Sequence, residues 1–157
     1  MDPTTFDLSK FNWIGFALSV VANMVIGFVW YASWSPTGAR WMKHQGMDPK
    51  NLPKMDGKAM AMSMVLMVVG ALLMMFVFAH NFAAYGDAFL YSDGGYKMGI
   101  MDGVMGGLFT WLGFIVPLNL NQVAFERKPW GLFGINAGYY LVTLVLAGIL
   151  LVTVGAK

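Results

Sequence analysis

Few side chains equipped for chemistry lie inside the long apolar runs of this sequence. Asp102 is the one acidic residue well within such a run, and an ionisable group at membrane depth is by default a functional-site hypothesis. It falls roughly one helical turn inside its run. Three readings stand for it: a helix cap at headgroup level, proton or cation handling, and a hydrogen bond between subunits. Asn23 falls near the middle of the first run, farthest from water. A buried amide must find partners, and Asn136, Tyr140 and Thr143 of the last run offer them. Its expected role is hydrogen-bonded glue between two helices, the alternative being the wall of a small polar ligand pocket.

Other chemistries fit less well. Thioethers are soft ligands that suit Cu(I). Met60, Met64 and Met67 share one helical face, and Met98, Met101 and Met105 share another. The orientation argued below puts Met60 and Met98 on opposite sides of a membrane, so that only Met74 or Met75 could approach Met98 and Met101. Methionine also fills irregular gaps well, and packing is its expected role. His44 and His80 fall on opposite sides too, so one bundle cannot clamp a haem between them. Serines are few, neither histidine has a carboxylate to orient it within the membrane, and the absence of cysteine removes every thiolate. No catalytic residue, metal or cofactor is expected.

The elements that must position these residues are four apolar stretches, about 12–34 (Asn12–Trp34), 58–81 (Lys58–Asn81), 98–122 (Met98–Gln122) and 131–153 (Gly131–Thr153). A helix needs roughly 20 mostly apolar residues to cross ~30 Å of hydrocarbon, and each stretch meets that length. A hydrophobic content of 58% and a mean hydropathy of +0.61 agree, and exclude disorder. The expected fold is all-α: a four-transmembrane-helix bundle with a short cytoplasmic interfacial helix, residues 1–157 forming a single integral membrane domain. Ser35-Pro36 reads as a cap followed by proline in the first turn of that short helix, which extends towards His44. Asp56 can cap the second long helix. Residues from Phe82 to Lys97 read as an outer loop, and those from Phe125 to Trp130 as a tight turn. The first stretch is too long for a signal-peptide core, its leader carries Asp2 and Asp7, and no Ala-x-Ala site follows, so it is expected to stay as a mature helix.

Small and polar residues mark the faces that should meet. The first helix carries Gly15, Ser19, Asn23, Gly27 and Tyr31 at every fourth position; the third carries Gly99, Asp102/Gly103, Gly106, Thr110, Gly113 and Pro117. Contacts in lipid use small residues for close approach and polar ones for hydrogen bonds. Gly15, Ser19, Gly27, Gly106, Gly113 and Pro117 are therefore expected at helix–helix contacts. Arg40, Lys43, Lys50, Lys54, Lys58, Arg127 and Lys128 lie between the first and second or the third and fourth helices, against Lys10, Lys97 and Lys157 on the other side. That bias predicts cytoplasmic first and third loops and periplasmic termini. A net charge of +2 is too small to suggest nucleic acid.

Several segments are similar to a family of small bacterial membrane proteins catalogued as domain of unknown function 1761. They are Trp30-Tyr31, Gly38 and Trp41-Met42, then Trp111-Leu112-Gly113-Phe114, Val116-Pro117, Phe125-Glu126-Arg127 and, most strongly, Ile135-Asn136-Ala137-Gly138-Tyr139-Tyr140-Leu141. The sequence departs from the family's Trp-Tyr-Ser-Pro turn, because Ala32-Ser33-Trp34 intervene. The resemblance implies a four-helix membrane protein and carries over no activity, cofactor or catalytic residue; the expected location is a bacterial inner membrane. The expected role is a non-catalytic, self-associating structural protein or an accessory subunit of a membrane assembly. Its expected partners are the lipid bilayer, further copies of itself and other membrane subunits. The alternative is a small transporter or channel built from an oligomer.

Overall fold

The computed structural model describes residues 11–52, 56–89 and 98–154, without the side chains of 83–89. Lys10, Lys54, Lys97 and Lys157 lie outside the described residues. The chain forms α1 (Trp13–Tyr31), α2 (Pro36–His44), α3 (Gly57–Phe89), α4 (Ile100–Thr110), a π-helical turn (Trp111–Ile115), α5 (Val116–Phe125) and α6 (Trp130–Thr153). Four segments are long and apolar enough to cross a membrane: Trp13–Tyr31, Gly57–Phe82, Ile100–Phe125 and Trp130–Thr153. No strand occurs among the described residues.

Local chemistry sets the element ends. Ser35 accepts the Gly38 N–H at 2.9 Å and opens α2, with Pro36 in the first turn. Ser35 and Thr37 hydroxyls both donate to the Trp30 carbonyl, at 3.0 and 2.6 Å, so the end of α1 and the start of α2 are tied together. The inserted Ala32-Ser33-Trp34 is taken up in this turn, where the Ser35 N–H reaches Ala32. The turn into α6 closes with Arg127 in the left-handed region (φ 55°) and the Glu126 and Lys128 N–H groups both on the Gln122 carbonyl. One boundary differs from the sequence reading. α3 continues past Asn81 to Phe89, because Ala83, Ala84 and Ala88 favour helix and no proline interrupts them. The rest of the expected outer loop, 90–97, lies outside the described residues.

The π turn has a direct cause in Pro117. Proline offers no N–H to the carbonyl one turn back, and its ring crowds that carbonyl. The widened turn relieves the conflict, the Val116 N–H reaching back five residues to Trp111.

α6 is the most buried of the four spans and runs antiparallel between α1 and the α4–α5 rod. Its bond to α4 is a glycine contact. A Cβ on Gly107 would sit 2.6 Å from the Leu144 carbonyl oxygen, one on Gly103 would sit equally close to the Gly148 carbonyl, and one on Gly148 would strike Gly103. α3 joins the buried core from Ala71 onward. Ala71, Met75, Phe78 and Ala79 are buried with Phe11, Val20, Leu144 and Leu151. From Gly57 to Met67 every residue of α3 is exposed, so this half of the helix stands away from the bundle.

Candidate functional site

α1 and α6 are laced together by side chains from one end to the other. At one end Asn12 accepts the Gly15 N–H at 2.8 Å while its amide nitrogen donates to the carbonyls of Leu151 and Val154, at 2.8 and 2.6 Å. One residue thus starts α1 and closes the end of α6. Ser19, buried, donates to the Gly15 carbonyl and makes a longer contact with that of Ala147. At the opposite end Tyr31 donates to the Asn136 side-chain oxygen at 3.2 Å, and the Trp30 indole donates to the Ile135 carbonyl at 3.1 Å. The Trp111 indole reaches the Ala137 carbonyl at 2.7 Å from the other flank. Gly138 leaves room for the Trp30 ring, so the segment from Ile135 to Tyr140 is clamped by two tryptophans.

Midway along both helices Tyr139 donates its hydroxyl to the side-chain oxygen of Asn23 and, more distantly, to its backbone carbonyl at 3.4 Å. Gly27 makes this possible, since a Cβ there would stand 3.2 Å from the hydroxyl. Tyr31, Tyr139 and Tyr140 form an edge-to-face chain with centroids 5.2 and 4.9 Å apart. Trp41 of α2 extends it to the end of the bundle.

Beside this cluster lies a cavity of about 250 Å³, lined by Asn23, Met24 and Gly27 of α1, Met67, Gly70, Ala71 and Met74 of α3, and Tyr139 and Tyr140 of α6. It sits where α3 leaves the bundle. The Asn23 amide nitrogen has no hydrogen-bond partner among the described residues. Among the described residues no fully enclosed side-chain polar atom lacks a partner, so that nitrogen borders open space, and the cavity is the space Asn23 lines. The Tyr140 hydroxyl has no hydrogen-bond partner among the described residues either.

The other residues singled out from the sequence fall elsewhere. The partner of Asn23 is Tyr139, not Asn136, Tyr140 or Thr143. Asn136 pairs with Tyr31, Tyr140 lines the cavity, and Thr143 turns back to the Tyr139 carbonyl at 2.9 Å. Adjacent residues on a helix point about 100° apart, so the rotation of α6 about its axis decides whether Tyr139 or Tyr140 meets Asn23. Asp102 accepts the Gly99 N–H at 2.7 Å in the first turn of α4, a cap remote from the cavity lining. A Cβ on Gly15 would meet the Asn12 cap at 2.6 Å, while Gly106 faces the Phe82 ring of α3. Gly113 and Pro117 correct the expected third-helix stripe: both are exposed, and a Cβ on Gly113 would meet nothing within 4 Å. Their displacement follows from the π turn, which advances the inward face to Gly103, Gly107, Trp111, Ile115 and Asn119. The gathering of Met24, Met67 and Met74 was not legible, because α1 and α3 meet at an angle the sequence does not state. Among the described residues no group of three or more His, Cys, Asp or Glu could hold a metal ion.

A protein family described as a protein of unknown function (DUF1761) matches residues 14–152, which takes in all six helices of the bundle except their outermost residues. No curated protein and no solved structure matches the chain.

Proposed function

The chain belongs to the DUF1761 family of proteins of unknown function, and we propose that it is a non-catalytic membrane protein that holds a small molecule in the cavity between α1, α3 and α6. The observation that carries this reading is the Asn23 amide nitrogen, which sits at mid-span beside open space without a hydrogen-bond partner among the described residues. An unmet donor at that depth costs on the order of 1–3 kcal/mol, which a bound acceptor recovers. The cavity walls hold an amide, two phenols and three thioethers, a set suited to binding a neutral molecule rather than to transferring a group. The test is native mass spectrometry of the protein released from its own membrane. The expected result is a small-molecule adduct on the parent that is lost in Gly70→Leu, a substitution with no atom within 4 Å of its Cβ and a side chain placed at the cavity wall. No adduct, or the same adduct on both proteins, would overturn the reading.

A second reading is self-association, alone or as an accessory subunit, through the first half of α3. Its support is that Met60, Met64, Val65 and Met67 are exposed on a segment that no other helix covers among the described residues. Disulfide cross-linking between copies at Met64→Cys, but not at Phe114→Cys on the exposed side of the α4–α5 rod, is the expected outcome; equal yields at both positions would remove this reading.

The proposed setting is a bacterial inner membrane, with the α2 end cytoplasmic and both termini periplasmic. His44 of α2 packs over Gly131 at the start of α6, so Arg40, Lys43, Arg127 and Lys128 share one end of the bundle. Basic residues flanking spans favour the cytoplasmic side.

A further inference from the structure

The walls of the cavity narrow the class of molecule it takes, an argument that rests on the binding reading above. Asn23 is 4% exposed; its oxygen is occupied by Tyr139, and its nitrogen presents two hydrogens without an acceptor among the described residues. Tyr140 lines the same cavity, and its hydroxyl has no hydrogen-bond partner among the described residues. The ligand must therefore bring acceptors. No charged side chain among the described residues lines the cavity, and a charge left uncompensated at mid-bilayer is expensive, so the ligand is neutral. Gly27, Gly70 and Ala71 keep two walls low, while Met24, Met67 and Met74 present thioethers, which make favourable contacts with aromatic ring edges. An apolar cavity of about 150 Å³ takes one benzene. The roughly 250 Å³ here has room for a substituted or fused ring. The exposed first half of α3 leaves the cavity's approach to the lipid side rather than to water.

We propose that the cavity binds a neutral, planar, membrane-soluble ring bearing carbonyl acceptors, of the quinone class, with one carbonyl on the Asn23 amide nitrogen and the Tyr140 hydroxyl. The test is equilibrium binding of radiolabelled menadione to the protein in nanodiscs, corrected for empty nanodiscs, with unlabelled 2-methylnaphthalene as competitor. Menadione and the hydrocarbon share ring size and methyl group and differ in the carbonyls. The expected result is saturable binding of one menadione per protein, weakened about fivefold by Tyr140→Phe and by Asn23→Leu, as loss of one ordinary hydrogen bond predicts. Gly70→Leu should abolish it, and 2-methylnaphthalene should compete weakly. A hydrocarbon that competes as well as menadione, with Tyr140→Phe and Asn23→Leu unchanged, would overturn the quinone assignment and leave the cavity as an apolar site. Menadione uptake that never saturates and is equal in the parent and Gly70→Leu would overturn both this assignment and the binding reading beneath it.

Discussion

Asn23 and Tyr139 share one hydrogen bond, yet their substitution should not cost the same. In Asn23→Leu the Tyr139 hydroxyl keeps a partner, because the backbone carbonyl of residue 23 already lies 3.4 Å away. In Tyr139→Phe the Asn23 oxygen loses its donor and remains buried. Hydrogen bonds between membrane helices average only ~0.6 kcal/mol, and that is the expected cost of Asn23→Leu. An acceptor left unmet costs about 1–3 kcal/mol, which is the expectation for Tyr139→Phe. Thermal unfolding of the two variants in the same detergent checks the order; equal losses would mean that water or lipid reaches Asn23. At this scale the sequence shows which residue needs a partner but not which one it finds. An asparagine in the middle of an apolar span stands out whatever surrounds it. The selection of Tyr139 over Tyr140 depends on how α6 is rotated, and that is decided by its contact with α4. The double use of Asn12 was equally hidden, since it joins residues from the two ends of the described chain.

At the scale of the element, two glycines on the same rod carry opposite expectations. Gly107 lies where α4 and α6 touch backbone to backbone, and a methyl group there would meet the Leu144 carbonyl oxygen at 2.6 Å. Backbone cannot step aside as a side-chain tip can, so Gly107→Ala should cost about 1–3 kcal/mol, the usual penalty of overpacking. Gly113 meets nothing within 4 Å, and Gly113→Ala should be neutral or slightly stabilising, since alanine favours helix by up to about 1 kcal/mol over glycine. Melting temperatures of the two variants give the answer; a destabilising Gly113→Ala would indicate that a second chain covers that face. Helix existence and length were legible here, because four apolar runs and the Ser35-Pro36 start are local properties. The stripe on the third span was misread at its second half. Gly113 and Pro117 continue a regular helical periodicity, but Pro117 itself breaks that periodicity and turns the face away.

For the molecule as a whole, the arrangement of charge against the bundle predicts an orientation. Antiparallel helices put the first and third connections at one end, and the packing of His44 over Gly131 brings α2 and the turn into α6 together there. That end carries Arg40, Lys43, Lys58, Arg127 and Lys128, while Asp102 caps α4 at the other. Translocating that many basic residues across an energised membrane is disfavoured, so the α2 end should face the cytoplasm. The chain has no cysteine, which makes each single-cysteine variant a clean reporter. With an impermeant thiol reagent on intact bacterial cells, Thr4→Cys and Ser92→Cys should be modified, and Lys50→Cys only after the membrane is opened. Modification of Lys50→Cys in intact cells would invert the orientation. The cavity argument would stand in that case, because mid-span is the same depth from either side.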